Sequence, residues 1–276
     1  MRRAAQAGFT LIEAVIVIVI TGILGGIVAV FIKAPLQSYA DTAARVEMSD
    51  IADTAVRRIS RDVRLALPNS IRVTANSLGF LLTKTGGRYQ SADDGLAAGH
   101  PLDFADGSKR SFDMLGAVPT AQQQINVGDF IVVYNLGPDY PPADAYTGGN
   151  VAAVSAISGN TVTLGSNPFA VQDPMMSSPS NRFQVVSGTV TYYFNAAAGT
   201  LTRYLSNGQI VAAQSTPPAG VGALIASNVA ACTFSYTALA NTHSALVEIV
   251  LTLQRPGATS DAPIVLFHQV HVDNTP

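Results

Sequence analysis

Cysteine is nearly missing from this chain: Cys232 is the single one among 276 residues. A lone thiol cannot close a disulfide within its own chain, and it cannot build a Cys-x-x-Cys metal or redox motif. Histidine is also scarce, at four residues. His268 and His271 lie three apart in a stretch that reads as a strand, so they point to opposite faces and cannot share a metal. His-Glu-x-x-His, Gly-x-Ser-x-Gly and phosphate-loop patterns are absent. Asp93, Asp94, Asp103 and Asp106 lack the regular spacing of a calcium loop and read as turn carboxylates. The expectation is a protein that is not an enzyme, with no catalytic residue, no metal and no cofactor. Charged side chains make up only 12% of the chain and form no basic stripe, which argues against a nucleic-acid partner. No internal repeat is present. Cys232 itself falls in Ala230–Thr237, where a period of two puts it on one face with Phe234 and Tyr236 and leaves Thr233, Ser235 and Thr237 on the other. That pattern predicts a buried structural thiol, with a bridge between subunits as the alternative.

What the chain does have is one long apolar run. From Ala14 to Ile32, 19 residues carry no charge, and Thr21 is their only polar side chain. As a helix this length crosses a bilayer core, which takes about 20 residues. Hydrocarbon explains the run but not Glu13 at its head, because a carboxylate at the centre of a membrane helix costs roughly 2.5–3.5 kcal/mol on insertion scales. A plain membrane anchor leaves Glu13 without a job. A secretory signal carries a shorter apolar region with its cleavage site after it. Here the junction of a small residue with an aromatic one, Gly8-Phe9, lies before the run. Arg2 and Arg3 precede the run and Lys33 follows it, a bias that favours a cytoplasmic N-terminus and a globular part facing outward.

Gly8-Phe9-Thr10-Leu11-Ile12-Glu13, with the apolar run behind it, resembles the class III signal of type IV prepilins and pseudopilins. The resemblance implies a prepilin peptidase that cuts between Gly8 and Phe9, N-methylation of Phe9, and a requirement for Glu13 in assembly. The physical sense is charge pairing. Cleavage frees a positive amine at Phe9, and in a stack of helices Glu13 of one subunit can lie beside the Phe9 amine of its neighbour. Such a buried pair adds little net stability, but removing one partner costs about 3–5 kcal/mol. Glu13 would therefore act on register and recruitment more than on fold.

A second segment narrows the resemblance. From Arg57 to Val73 an Arg-Asp helix runs into Leu67-Pro68-Asn69-Ser70. This is similar to the end of the long helix in MshO-type minor pilins of the mannose-sensitive haemagglutinin (MSHA) pilus system. The J-type pseudopilins of type II secretion and the PilW-type minor pilins are alike in plan. Implied partners are other minor and major pilins through the N-terminal helix, the prepilin peptidase, the inner-membrane assembly platform, and the inner membrane itself before assembly. The implied role is low-copy initiation of a filament that ends at the cell surface.

Lys33-Ala34-Pro35 interrupts the apolar pattern, and Pro35 removes one backbone bond, which predicts a kink or break near residues 31–35. From Leu36 to Leu67 the pattern is amphipathic: Met48, Ile51, Ala52, Ala55, Ile59, Val63 and Ala66 form one helical stripe. Asp53–Arg57 and Arg58–Asp62 are pairs of opposite sign at i,i+4. The arginines read either as a solvated helix end suited to the negative dipole terminus or as an electropositive docking face. Pro68-Asn69-Ser70 ends the helix. Beyond residue 70, strand-like runs alternate with turn residues. In Val247–Leu253 every odd-numbered residue is apolar, marking a half-buried strand.

The predicted fold class is α+β: a long N-terminal helix packed on a mostly antiparallel β-sheet domain. Its organisation is a leader over 1–8, a membrane span over 9–33, an amphipathic helix over 34–67 and a β-rich domain over 68–276. Thr85–Gln124, with Gly86-Gly87, and Gly137–Asn150 read as loops. Loops of that length are usually functional or mobile, which makes them places for an adhesive or DNA-binding tip.

Overall fold

The computed structural model describes residues 8–95, 98–213, 215–239, 243–255 and 262–276. They fall into two compact units that divide between Asp50 and Ile51. Helix α1 (Leu11–Val63) supplies the described part of the first unit almost entirely. The break expected at Pro35 is not there, since α1 is continuous through it. Proline lacks one amide donor, and a single missing bond leaves the bonds of neighbouring turns in place. Thr21 donates its hydroxyl to the Val17 carbonyl at 2.6 Å, which satisfies the one polar side chain of the apolar run from within the helix.

In the second unit the last turns of α1 bury Ala52, Ala55, Val56, Ile59 and Val63 to 2% exposure or less. This is the expected stripe, except that Val56 joins it and Ile51 is half-buried. The helix stops at Val63, four residues before the predicted end at Leu67. Its exit is captured by a strand. The Leu67 amide donates to the Leu81 carbonyl at 2.8 Å, the Thr83 amide donates to the Leu65 carbonyl at 2.8 Å, and Ala66 bridges to Leu82.

The strands that follow are β1 (Arg72–Val73), β2 (Ser77–Tyr89), β3 (Ser111–Leu115), β4 (Phe130–Val132), β5 (Val151–Ser158), β6 (Thr161–Leu164), β7 (Arg182–Asn195), β8 (Thr200–Asn207), β9 (Val221–Ala226), β10 (Val229–Leu239), β11 (Ser244–Leu253) and β12 (Ile264–Asp273). The pairings are antiparallel throughout. Two long strands organise them. The first half of β2 pairs with the second half of β7, Ser77 opposite Tyr193 through Leu82 opposite Gly188, inside an open sheet that also holds β1, β8 and β9. Their other halves continue past an irregularity at Leu82–Thr85 into a different structure. There β2 also pairs with β3, and β7 with β4, so the six strands β2, β3, β6, β5, β4 and β7 close on themselves. The result is a small barrel. Closure removes the free edges that short strands would otherwise expose.

The barrel is filled by Phe112, Ile131, Val154, Val162, Phe183 and Val185, with Phe169 among them. Phe112 and Phe183 meet edge to face at 5.3 Å between ring centroids. Gly87 belongs to this packing. It lies within β2 opposite Phe183, and a Cβ there would stand 3.0 Å from the Phe183 ring. Gly86-Gly87 is therefore strand, not the turn expected from composition, because bare backbone is what lets the ring lie against it. Where the register of β7 against β2 shifts, Gly188 has φ +154°, and a Cβ there would overlap the Ser206 carbonyl.

The second expected loop is also built. Within 137–150, Ala143, Asp144, Ala145 and Asn150 are buried. The Arg72 guanidinium lies 3.4 Å from the Tyr146 ring centre, and the Tyr146 hydroxyl donates to the Ser70 carbonyl at 2.8 Å. The segment is a loop as expected, without helix or strand, and it is fastened to the exit of α1.

A separate three-stranded sheet has the order β10-β11-β12. In its central strand Ala245, Val247, Ile249, Leu251 and Leu253 are all fully buried, as the alternation predicts. On the other face Glu248 accepts from Ser235 and Gln269, each at 2.8 Å, which ties the three strands together. Cys232 is free, 2% exposed and on the same face as Phe234. Burial pushes its thiol up to about 12. A thiol kept protonated and covered is inert, which fits the expected structural side chain. A maleimide at neutral pH should leave native protein unlabelled and react fully in denaturant, as intact-mass measurement would show. Labelling of native protein would contradict the burial.

Candidate functional site

Gly8, Phe9 and Thr10 precede the first helical residue, Leu11. The Gly8-Phe9 bond therefore sits in non-helical backbone, with Phe9 81% exposed. A protease that must lay its substrate out in extended form meets no helix at this bond. Immediately after it the chain is locked. The Thr10 hydroxyl oxygen accepts from the Glu13 amide at 3.3 Å, and a Glu13 carboxylate oxygen accepts from the Thr10 amide at 3.2 Å and the Thr10 hydroxyl at 3.1 Å. This is a reciprocal capping box, which satisfies two of the amides that every helix start leaves orphaned. A carboxylate in the first turn also faces the positive end of the helix dipole.

Glu13 thus has a task inside a single chain, before any neighbour is considered. Thr10 is the residue that motif reasoning missed. Its signal was the Thr-x-x-Glu spacing directly ahead of an apolar run. Behind the box, α1 is the one described helix long and apolar enough to cross a membrane. The large apolar side chains of its membrane-length stretch, from Ile12 to Ile32, are exposed.

The charges further along α1 behave differently from one another. Asp53 and Arg57 pair at 2.7 Å as expected. Arg58 and Asp62 do not. Asp62 turns instead to the sheet, where its Oδ2 accepts from Arg203 Nε at 2.6 Å and from the Tyr192 hydroxyl at 2.8 Å. Tyr192 and Arg203 are direct cross-strand partners on β7 and β8, so their side chains arrive together. Arg58 loses its expected counter-ion to a pair that no local spacing could reveal.

Asp94, Asp103 and Asp106 serve their own turns, as expected of turn carboxylates. Asp94 accepts from the Ser91 amide at 2.7 Å, Asp103 from the amides of Ala105 and Asp106 at 2.8 Å, and Asp106 from Ser108. The Lys109 ammonium at 2.7 Å, with those two amides, lowers the Asp103 carboxyl to about 2. His268 and His271 lie on opposite faces of β12. Among the described residues no three His, Cys, Asp or Glu side chains converge on a metal position.

A family model for the prokaryotic N-terminal methylation motif matches residues 3–29. No curated protein and no solved structure matches the chain. The head of the chain is thus a class III signal of the kind carried by type IV prepilins and pseudopilins. Such a signal implies interaction with a prepilin peptidase and with pilin assembly machinery in general, and with α1 it is consistent with a membrane-anchored protein.

Proposed function

We propose that this chain is a minor pilin-like subunit of a type IV pilus, acting in the start of filament assembly and not as an enzyme. Prepilin peptidase cuts between Gly8 and Phe9, the new Phe9 amine is methylated, and Glu13 pairs with the amine of a neighbouring subunit as α1 leaves the membrane for a bundle of like helices. The N-terminus faces the cytoplasm and the β-rich unit faces outward. The MSHA system is the particular pilus proposed, on the resemblance of residues 57–73 to MshO-type subunits. A J-type subunit of a type II secretion pseudopilus or a PilW-like subunit is the alternative within the same class. Other pilins and the inner-membrane assembly platform are the proposed partners.

The observation that carries this reading is the head itself: an exposed, non-helical Gly8-Phe9 bond two residues before a capped apolar helix. Mass spectrometry of the mature N-terminus tests it. The expected species begins at Phe9 with one added methyl group. Retention of Arg2 and Arg3, or a start elsewhere, would overturn it.

A further inference from the structure

Four guanidiniums line one groove of the second unit. Arg57, Arg58 and Arg61 from α1 and Arg203 from β8 enclose about 550 Å³ with Thr54 and Asp62. Every one of these residues lies beyond Asp50, so the groove belongs to the second unit alone. Its charges do not balance. Arg57 is taken by Asp53 at 2.7 Å, and Arg203 by Asp62 at 2.6 Å. Arg58 and Arg61 are exposed and, among the described residues, have no carboxylate partner. Two positive charges are left over in one concave place. Arg203 is also held in position. Its side chain is 14% exposed and donates through Nε to Asp62, whose same oxygen accepts from the Tyr192 hydroxyl at 2.8 Å. A guanidinium has five N–H donors, so a bond through Nε leaves donors on the terminal nitrogens. Attraction to the helix dipole accounts for cations in the last turns of α1, but it does not gather them around a fixed arginine of the sheet.

We propose that this groove binds a phosphate monoester group. At neutral pH such a group carries about −1.5 to −2 charges and three acceptor oxygens. That charge matches the two unbalanced arginines, and the oxygens match Arg58, Arg61 and the fixed Arg203. Arginine takes phosphate oxygens in pairs through parallel N–H···O bonds, which a planar fork favours and a lysine cannot copy. A carboxylate brings one charge and two oxygens, and it would leave one arginine unmatched. A soluble ester and a lipid headgroup present the same terminal group, so the chemistry is shared and the source is a matter for measurement. The site asks nothing of a second copy of the chain and nothing of the first unit.

Calorimetric titration of the full-length protein in a nonionic detergent, at fixed ionic strength, provides the test. The probes are inorganic phosphate, a short-chain phosphatidic acid and acetate. The wild type should bind phosphate saturably. Arg58→Gln/Arg61→Gln should weaken that binding roughly tenfold or more, because charge-assisted hydrogen bonds are lost. Arg64→Gln should leave it unchanged, since Arg64 is exposed but lies outside the groove. Acetate should bind more weakly than phosphate. Tighter binding of the phosphatidic acid than of phosphate, lost in the double variant, assigns the site to a lipid headgroup. Equal or weaker binding assigns it to a soluble ester. The proposal is overturned by no saturable binding of either phosphate, by acetate matching phosphate, or by binding that persists in the double variant. Equal loss in Arg64→Gln also overturns it, because general counter-ion attraction would then suffice. Maleimide protection of Cys232 reports whether each variant folds. Where the double variant does not, Arg58→Gln and Arg61→Gln singly replace it, and binding insensitive to both overturns the proposal.

Discussion

Glu13→Gln should abolish entry of this chain into filaments while leaving the head of α1 nearly intact, and Thr10→Ala should weaken the cap while leaving entry nearly unchanged. The two variants separate tasks that the motif merges. Within one chain Glu13 works through an oxygen that accepts from Thr10. Glutamine keeps an acceptor oxygen and is tolerated at this place in a capping box, so Glu13→Gln retains most of the cap. It loses the charge, and an unpaired Phe9 amine then meets no counter-ion where helices pack. Removing one partner of a buried pair costs about 3–5 kcal/mol, which is roughly two to four orders of magnitude in recruitment. Thr10→Ala keeps the carboxylate and removes the hydroxyl that accepts from the Glu13 amide. An alanine at such a cap costs about 1 kcal/mol of local helix stability, and a membrane helix of this length absorbs that. The measurement is the amount of each variant in sheared filaments against the amount left in the membrane. Normal incorporation of Glu13→Gln would end the charge-pairing account. Equal loss in both variants would show that the acid matters as a helix cap.

The parts of the molecule legible in the sequence are those set by local chemistry. The apolar run follows from its length and lack of charge, and the stripe on the last turns of α1 and the alternation of Val247–Leu253 follow from periods of 3.6 and 2. The Gly8–Glu13 head was legible as a motif, although the Thr10 half of its capping box went unread. The barrel was not legible. β3 and β4 are short, and Asp113 interrupts the apolar character of β3. Gly86-Gly87 mimics a loop, and β2 and β7 each run from the open part of the sheet into the barrel across a register irregularity. Closure of a barrel is a long-range event, since β2 meets β7 across about a hundred residues, and no window of ten or fifteen residues contains that information. The same limit hid the partner of Asp62. A spacing of four named Arg58, whereas the sheet offered Arg203 and Tyr192 more than a hundred residues away.

That cluster carries the second large effect. The side chains of Asp62 and Arg203 are only 15% and 14% exposed, so the pair is shielded more than a surface ion pair and less than a core one. Desolvation works against the charge on Arg203, yet the Asp62 carboxylate holds its pKa above the ordinary arginine value. Burial together with the same carboxylate keeps the Tyr192 hydroxyl protonated and donating. Asp62→Ala strands both donors, and Arg203→Met strands the acid beside Tyr192. Each should cost about 3 kcal/mol, the lower end of the range for breaking a buried pair. For a domain of this size that is a fall of about 6–12 °C in Tm. The double variant Asp62→Leu/Arg203→Met should lose less than the sum of the single losses, because it leaves no buried charge without a partner. Circular dichroism of the β-rich unit during heating reads all three. A neutral Arg203→Met would mean that the exit of α1 is held by the backbone bridge from Ala66 to Leu82 and the packing of Ile59 and Val63, with the charges only decorating a contact that apolar burial already secures.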